Sequence, residues 1–340
     1  MMEKANKKKL SSSAFLLMTT IILFVIMYVA GMIIFYNAGF AKPQMFLNLF
    51  VSNAGLLVIG CGMTIVMITG GIDISVGSVT ALVCMVCAYS MERMGMNAYV
   101  AVLLALAIGL AFGVVQGYLV AYLDIQPFIV TLAGMFFGRG MTAMVSTDMI
   151  AITNETFLSW AKFHINLPFG THNSKGEYLP AYIYPTVVIA ILVVILVSVM
   201  LKYSKFGRKL YAIGGNQQSA LMMGLNVRKT KFQAYVLAGF LSGLGGFLFC
   251  LNSCSGFVEQ AKGLEMDAIS SAVIGGTLLS GGVGTAVGTL FGVLIKGTIS
   301  SLITTQGTLS SWWVRITLSA LLCFFIVLQA VITGMKKKNK

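Results

Sequence analysis

The stretch YIYPTVVIAILVVILVSVML, residues 182–201, contains no charged side chain. A helix needs about 20 apolar residues, rising about 1.5 Å each, to cross the roughly 30 Å hydrocarbon core of a bilayer. A second run, 14–36, is equally free of charge, and a third, 312–332, carries a single arginine. The chain is therefore predicted to be an integral membrane protein.

The composition supports this prediction, because the chain is 58% hydrophobic and 10% charged with a mean hydropathy of +0.91. Soluble domains carry about 25% charged residues. A backbone exposed to lipid must satisfy its own hydrogen bonds, and long unbroken apolar runs are not typical of β-barrels. We expect an all-α polytopic bundle, one domain over 14–335, with about ten spans at 14–36, 50–69, 76–91, 98–122, 127–146, 182–201, 232–252, 267–281, 284–304 and 312–332.

Basic residues give the expected topology. The formal charge is +13, yet 15 of the 23 Lys and Arg residues lie in three segments, 1–13, 202–231 and 336–340. The positive-inside rule places all three in the cytoplasm, which makes both termini cytoplasmic and the polar loop 147–181 extracytoplasmic. This placement explains the charge by topology, and nucleic acid is not an expected partner.

No metal site or cofactor is expected. The pair Cys84 and Cys87 lies inside an apolar span, and the histidines His164 and His172 share one polar loop. Thiols in such a span act as small hydrophobic side chains rather than as ligands.

Glycines dominate the stretch GGTLLSGGVGT, residues 275–285, which contains LSGG, the start of the signature motif of ABC-type ATPases. That motif acts only opposite a P-loop of the form G-x-x-x-x-G-K-[ST]. The dipeptide Gly-Lys occurs nowhere in the chain, so we expect no ATPase site. Glycines at 109, 113 and 117, and again at 284, 288 and 292, predict close helix contacts instead, with 275–285 forming a tight bend.

The stretch ITGGIDISVGSV, residues 68–79, is the first candidate functional segment. Gly70 and Gly71 interrupt a span, and Asp73 and Ser75 follow before the helical pattern resumes. One interpretation is that the carboxylate caps the next helix, where the helix dipole favours it. The alternative is that these residues line a solute path or gate.

The second segment lies within 202–231. Asn216 is predicted to N-cap a short helix over Gln217–Met223, and Gly224 suits the left-handed position that ends it. The apolar side chains from Leu221 to Met223 would be exposed on this helix. An exposed apolar surface of this kind predicts a docking site for another subunit.

Charges inside spans form a third group: Arg139, Lys296 and Arg315. A basic residue or Asp at mid-bilayer costs at least about 2.5 kcal/mol on insertion scales. An ion-coupled secondary transporter would use such groups as a relay, and this alternative stays open from the residues alone. Against it, no acidic residue lies at the centre of a predicted span.

Five blocks together resemble the permease subunits of ribose/galactose-type sugar ABC importers. They are ITGGIDISVGSV, AYLDIQPFIVTLAGM, FGRKLYAIGGN, ALMMGLNV and AVIGGTLLSGGVGT, and the similarity runs from about residue 50 to 330. Within that family, TLAGMFFGRGM, GGTLLSGGVGTAVGTLFGV and GTLSSWWVRI are most similar to a galactofuranose-importer permease. A nucleoside-type permease is the alternative, because relatives with such substrates share the scaffold.

The resemblance implies a chain that forms half of a channel in the bacterial cytoplasmic (inner) membrane. It implies a second permease chain, identical or different, separate ATPase subunits and an extracytoplasmic sugar-binding protein. It also implies that the short cytoplasmic helix enters a cleft of the ATPase through Asn216, Gln217, Ser219, Ala220, Leu221, Met222 and Gly224.

A polyol in transit needs hydrogen-bonding and stacking groups. The candidates for translocation or gating are Gly70, Gly71, Asp73, Ser75, Asn53, Gln116 and Asn252, with Trp312 and Trp313 as aromatic surfaces. Helix packing and an interfacial aromatic belt are the alternative interpretations of these polar and aromatic side chains.

Overall fold

The computed structural model describes residues 12–172, 177–310 and 312–338, with side chains from 16 to 331. Residues 1–11 of the basic N-terminal segment, and 339–340 of the basic tail, lie outside the described residues. The helices are α1 (Ser12–Ile34), α2 (Pro43–Ile68), α3 (Val76–Glu92), α4 (Ala98–Tyr122), α5 (Pro127–Val145), α6 (Glu155–Lys162), α7 (Pro185–Tyr203), α8 (Lys205–Gly215), α9 (Gln217–Met222), α10 (Val227–Ser253), α11 (Leu264–Ile274), α12 (Ala286–Gln306) and α13 (Trp312–Lys338). The strands are β1 (Ile150–Ala151), β2 (Ile165–His172), β3 (Tyr178–Ile183) and β4 (Ser255–Gly256).

In this described part, 8 helices are long and apolar enough to cross a membrane: α1, α2, α4, α5, α7, α10, α12 and α13. The shorter apolar helix α3 has 17 residues, about 25 Å at 1.5 Å per residue. The all-α polytopic bundle expected from the sequence is confirmed. Among the residues that the structure describes, the strands form two small two-stranded antiparallel sheets, β1–β4 and β2–β3.

The predicted span at 267–281 is wrong. The helix there, α11, has 11 residues and stops at Ile274, so it is about 16 Å long, half of a bilayer core. The segment before α11, 254–263, consists of the short strand β4 and turns. The segment after it is a turn that leads to α12. The apolar composition of 275–285 therefore belongs to a glycine turn rather than to a helix.

Two helices form the centre of the bundle. In their most apolar windows, 83% of α2 and 72% of α10 is buried, against 17% of α1 and α13. Helix α10 packs on α4 along the predicted glycine ridge, since a Cβ at Gly109 would lie 2.6 Å from the Cα of Gly243. Larger residues at either position would force these helices apart.

The loops gather at two opposite ends of the bundle. One end, which we call the basic face, carries α8 and α9, the loop 69–75 and the turn 275–285; the N–H of Gly282 donates to the carbonyl of Ile68 at 2.9 Å there. The described ends of α1 and α13 also lie toward it, because Thr20 Oγ1 and Gln329 Nε2 donate to carbonyls of Ile274 and Val273 at 2.6 and 3.0 Å.

The other end, the hairpin face, is formed largely by the described residues of 146–172 and 177–184. Strands β2 and β3 pair as a hairpin, and β1 pairs with β4 beyond the end of α10. The carboxylate of Glu92, at the end of α3, accepts hydrogen bonds from the backbone N–H of Thr153 and Asn154 at 2.7 and 2.9 Å. The described part of this polar loop therefore consists mainly of α6 and a β-hairpin.

Candidate functional site: the basic face and the charges within the bundle

A short capped helix projects from the basic face. The side chain of Asn216 accepts a hydrogen bond from the N–H of Ser219 at 2.8 Å and so caps α9 as predicted. Helix α9 ends at Met222, one residue earlier than expected, and Gly224 adopts a φ of +76°. That left-handed geometry turns the chain back so that Leu225 N–H reaches the carbonyl of Ala220 at 3.1 Å.

The exposed side of this helix is apolar. Leu221, Met222 and Met223 are 53%, 81% and 66% exposed, whereas Ala220 is fully buried. Ala220 belongs to a small cluster with Ile213 and Val227, so it anchors the helix rather than facing outward. The remaining predicted coupling residues, Asn216, Gln217 and Ser219, are exposed.

Three separate chain segments meet backbone to backbone beneath α9. A Cβ at Gly214, in the last turn of α8, would collide with the carbonyl oxygen of Ile68 and with the N–H of Gly282. A Cβ at Gly281 would lie 2.8 Å from the backbone nitrogen of Gly70. We call this contact of 214–215, 68–70 and 281–282 the glycine junction. It connects α8 and α9 directly to the end of α2 and to the turn before α12.

A cavity of about 440 Å³ opens beside the glycine junction. Its lining is Thr69, Gly70, Gly71, Val120, Pro127, Ile213, Gly214, Gly215, Asn216, Gln217, Lys231, Tyr235 and Ser280. The lining includes Gly70 and Gly71, two of the predicted gating residues. Lys231 Nζ donates to Gln217 Oε1 at 2.7 Å across it.

Three of the predicted gating residues form one buried chain of hydrogen bonds. Asp73 Oδ1 accepts from Ser75 N–H at 2.9 Å and from Ser75 Oγ at 2.6 Å, and Ser75 Oγ accepts from Gln116 Nε2 at 2.8 Å. Asp73 thus braces its own loop and does not cap α3 directly. Burial raises the pKa of the Asp73 carboxyl, although the hydrogen bonds from Ser75 oppose the shift.

The other two polar candidates lie elsewhere. Asn53 is buried in α2, where its amide donates to the carbonyl of Leu49 at 2.8 Å and its Oδ1 lies 3.4 Å from Lys296 Nζ. Asn252 is exposed at the hairpin face and lines a groove there with Trp160 and Tyr184. The structure therefore does not gather the predicted translocation residues into one site.

Each of the predicted intramembrane charges has a defined partner. Arg139 Nη1 donates to the carbonyls of Val258 and Gln260 at 2.9 and 2.6 Å, which holds the non-helical segment before α11. Lys296 Nζ lies 3.2 Å from Asp267 Oδ2. The Arg315 guanidinium lies 5.1 Å from the ring centre of Trp312.

Two features of the site were not found from the sequence. The sequence did not identify which carboxylate pairs with Lys296; it is Asp267, and the two residues lie on different helices, α12 and α11. Tyr235 is fully buried at the cavity edge, and its hydroxyl has no hydrogen-bond partner among the described residues. The sequence does not show whether the hydroxyl of a tyrosine in an apolar helix has a hydrogen-bond partner, because tyrosines that only fill space in a helix interface have the same sequence context.

Residues 45–326 match the family described as the permease component of branched-chain amino acid transport systems. The chain belongs to this permease family. The inner membrane ABC transporter permease protein YjfF of Escherichia coli is 41% identical over 87% of this chain and 86% of its own length.

Two other relatives of this permease carry more specific names. The fructose import permease protein FruG of Bifidobacterium longum is 30% identical over 99% of this chain and 97% of its own length. The ribose import permease protein RbsC of Escherichia coli is 36% identical over 83% and 82%. No solved structure matches the chain.

Membership of this family makes the chain a transmembrane transport component of an ABC transporter and not an ATPase. This confirms the conclusion drawn from the missing P-loop. The ion-coupled secondary transporter, the alternative suggested by the intramembrane charges, is not supported, because the matched relatives are permeases of ABC systems.

Proposed function

We propose that this permease forms part of the translocation pathway of a monosaccharide importer. Its relatives FruG and RbsC are named for fructose and ribose import and align with 83% or more of the chain. The family's own description names branched-chain amino acids, so a hydrophobic amino acid is the second candidate. The nearly full-length similarity to sugar permeases favours the sugar.

The observation that supports energy coupling is the exposed apolar end of α9. Leu221, Met222 and Met223 project from a helix whose inner side is fixed by Ala220 and whose base is the glycine junction. A separate ATPase subunit that binds this apolar end could move α8, the end of α2 and the turn 275–285 together. Exposed Leu and Met side chains on a charged face are suited to burial in a partner's cleft.

The orientation follows from charge. Seven basic residues lie in 202–231, at the end of the bundle that carries α9. The positive-inside rule makes the basic face cytoplasmic, with both chain termini on that side and the hairpin face outside. The hairpin face would then receive an extracytoplasmic binding protein. We place the permease in the bacterial inner membrane and pair it with a second permease chain, identical or different.

Three segments of the chain bear on which sugar is transported. The segments 131–141, 275–293 and 307–316 are similar to a galactofuranose-importer permease, and we propose galactofuranose or a related pentose or hexose as the cargo. A nucleoside is the remaining alternative, because a conserved scaffold does not determine the solute.

The test is uptake by the complete transporter. The permease is co-expressed with its ATPase, second permease and binding protein, reconstituted in liposomes, and supplied with ATP inside and one labelled solute outside. We expect ATP-dependent uptake of D-galactose, D-ribose or D-fructose, unaffected by excess leucine or adenosine. Uptake of leucine or adenosine with no uptake of any sugar would contradict the proposal.

A further inference from the structure

A small polar pocket opens between α11, α12 and the peripheral helix α13. Its volume is about 270 Å³, slightly below the roughly 300–1,000 Å³ common for drug-sized ligand sites. Its polar lining residues are Asp267, Lys296, Ser300 and Arg315, with Trp312 at the edge. We call it the α11–α13 pocket.

Two of the charged groups of this pocket, Lys296 and Asp267, are largely buried in the bundle yet not sealed, whereas Arg315 is exposed. Lys296 lies near the middle of α12, and the Lys296 and Asp267 side chains remain 20% and 30% exposed. Ionic groups at such depth are strongly disfavoured against lipid and normally face a bundle interior or a water-filled cavity. Both side chains line the α11–α13 pocket, which is open to the surroundings of the chain and so gives their charges access to water.

The lining offers both hydrogen-bond donors and acceptors. Lys296 and Arg315 donate only, the Asp267 carboxylate accepts only, and the Ser300 hydroxyl does both. The Asp267 carboxylate repels an anionic ligand, and the side chains of Lys296 and Arg315 repel a cationic one. An uncharged molecule bearing several hydroxyl groups fits this mixture.

An aromatic surface completes the pocket. Trp312 is 65% exposed, and the Arg315 guanidinium stacks at 5.1 Å from its ring centre. Indole rings provide a large flat apolar surface, which suits the C–H face of a sugar ring while the hydroxyls meet polar groups. This combination of a flat ring and mixed polar groups is what recognition of a monosaccharide requires.

The backbone near this pocket is interrupted. Helix α11 begins part-way through the bundle, after a non-helical segment in which Ala261 and Gly263 have φ values of +55° and +90°. Arg139 fixes that segment through the carbonyls of Val258 and Gln260. Transporters commonly bind solutes near the bilayer midplane where helices are discontinuous.

We infer that the α11–α13 pocket is a monosaccharide-binding subsite within the permease itself. Trp312 stacks on the sugar ring, and Asp267, Lys296, Ser300 and Arg315 hydrogen-bond its hydroxyl groups. The inference rests on the proposed sugar-import function and adds to it the residues that contact the cargo.

The experiment measures protection of a cysteine in the pocket. Ser300→Cys is made in a Cys323→Ser background, because Cys323 is the exposed native cysteine of the described residues. The complete transporter in nanodiscs is treated with a small thiosulfonate reagent, and the labelling rate of this chain is followed by mass. Millimolar D-galactose, D-ribose or D-fructose should slow labelling severalfold for the sugar that is transported.

Matched variants make the result specific. Ser159→Cys is the control, because it lies on the exposed surface of α6. Its labelling rate should be the same in the presence and in the absence of sugar. Protection at Ser300→Cys should disappear when Asp267→Asn and Lys296→Met are added together, a change that removes both charges at once. D-galacturonate, which carries a negative charge, should protect less than the neutral sugar.

Failure of the inference is separable from failure of the proposed function. A transporter that imports sugar but shows equal Ser300→Cys labelling with and without that sugar overturns the α11–α13 subsite. Stronger protection by D-galacturonate overturns it as well, because the pocket would then select anions. If the parent transporter imports no sugar at all, the proposed function itself is wrong.

Discussion

The carbonyl oxygen of Ile68, the last residue of α2, accepts a hydrogen bond from the N–H of Gly282 at 2.9 Å. Gly214 of α8 lies against the same carbonyl so closely that a Cβ there would collide with it. A single backbone group thus joins the central helix, the turn before α12 and the segment that leads to α9. At Gly214 glycine is needed because of space. Gly70, Gly281 and Gly282 of the same junction also have left-handed φ values of +83°, +84° and +76°, which favour glycine.

The first prediction concerns this contact. Gly214→Ala should destabilise the glycine junction by about 1–3 kcal/mol, the usual cost of overpacking, and reduce ATP-driven uptake. Gly215→Ala is the matched control, because no atom of the described residues lies within 4 Å of a Cβ at that position. Thermal unfolding in detergent and uptake in liposomes measure the two effects. Equal behaviour of the two variants would show that the junction is loosely packed.

The second prediction concerns the helix that projects from the basic face. Gly224 has a φ of +76° but open space around it, so Gly224→Val should cost roughly 1–2 kcal/mol through backbone strain alone. The larger effect should be misdirection of α9: ATP-driven uptake is lost while the chain still inserts and its permease partner still co-purifies.

A companion change tests the apolar surface without backbone strain. Leu221→Asp should lower co-purification of the ATPase, because it places a charge in the proposed interface. Leu221→Met keeps the surface apolar and should leave uptake unchanged. Normal sugar uptake by both Gly224→Val and Leu221→Asp would rule out the coupling role of α9.

Local signals explain why so much of α9 could be predicted. An N-cap Asn accepts a hydrogen bond from a backbone N–H no more than three residues away, and a helix-terminating Gly depends on its own φ. The roles of Asn216 and Gly224 can therefore be recognised from the local sequence. Long apolar runs likewise predict membrane helices with bounds that the structure shifts only modestly. One such shift is at α2, which starts at Pro43 rather than at residue 50.

The short helix α11 could not be predicted for an equally physical reason. Glycines that allow close helix packing and glycines that form turns look alike in sequence. The bend expected within 275–285 is present, but the apolar residues before it were wrongly extended into a full span over 267–281. The contacts of Arg139 with carbonyls of 258 and 260 also join residues more than a hundred positions apart. Composition and periodicity carry no information about such long-range partners.

The third prediction concerns Asp73, which is 4% exposed and has no ion-pair partner among the described residues. Its Oδ1 is the acceptor for both hydrogen bonds from Ser75. Asp73→Asn keeps an acceptor there and removes a buried charge, so fold and uptake should be retained. Asp73→Ala leaves two donors unpaired and should cost about 1–3 kcal/mol. Loss of uptake in a stably folded Asp73→Asn would instead show that the charge itself is required.

The last prediction concerns the pair Lys296 and Asp267, separated by 3.2 Å. Lys296→Met removes the cation and leaves the carboxylate unpaired at depth, so the thermal stability of the purified chain should fall. Because the pair is partly exposed, we expect roughly 1–2 kcal/mol rather than the 3–5 kcal/mol of a sealed pair. Adding Asp267→Asn should restore most of this loss, since no uncompensated charge then remains. A Lys296→Met variant as stable as the parent would show that Asp267 finds water or another donor without its lysine.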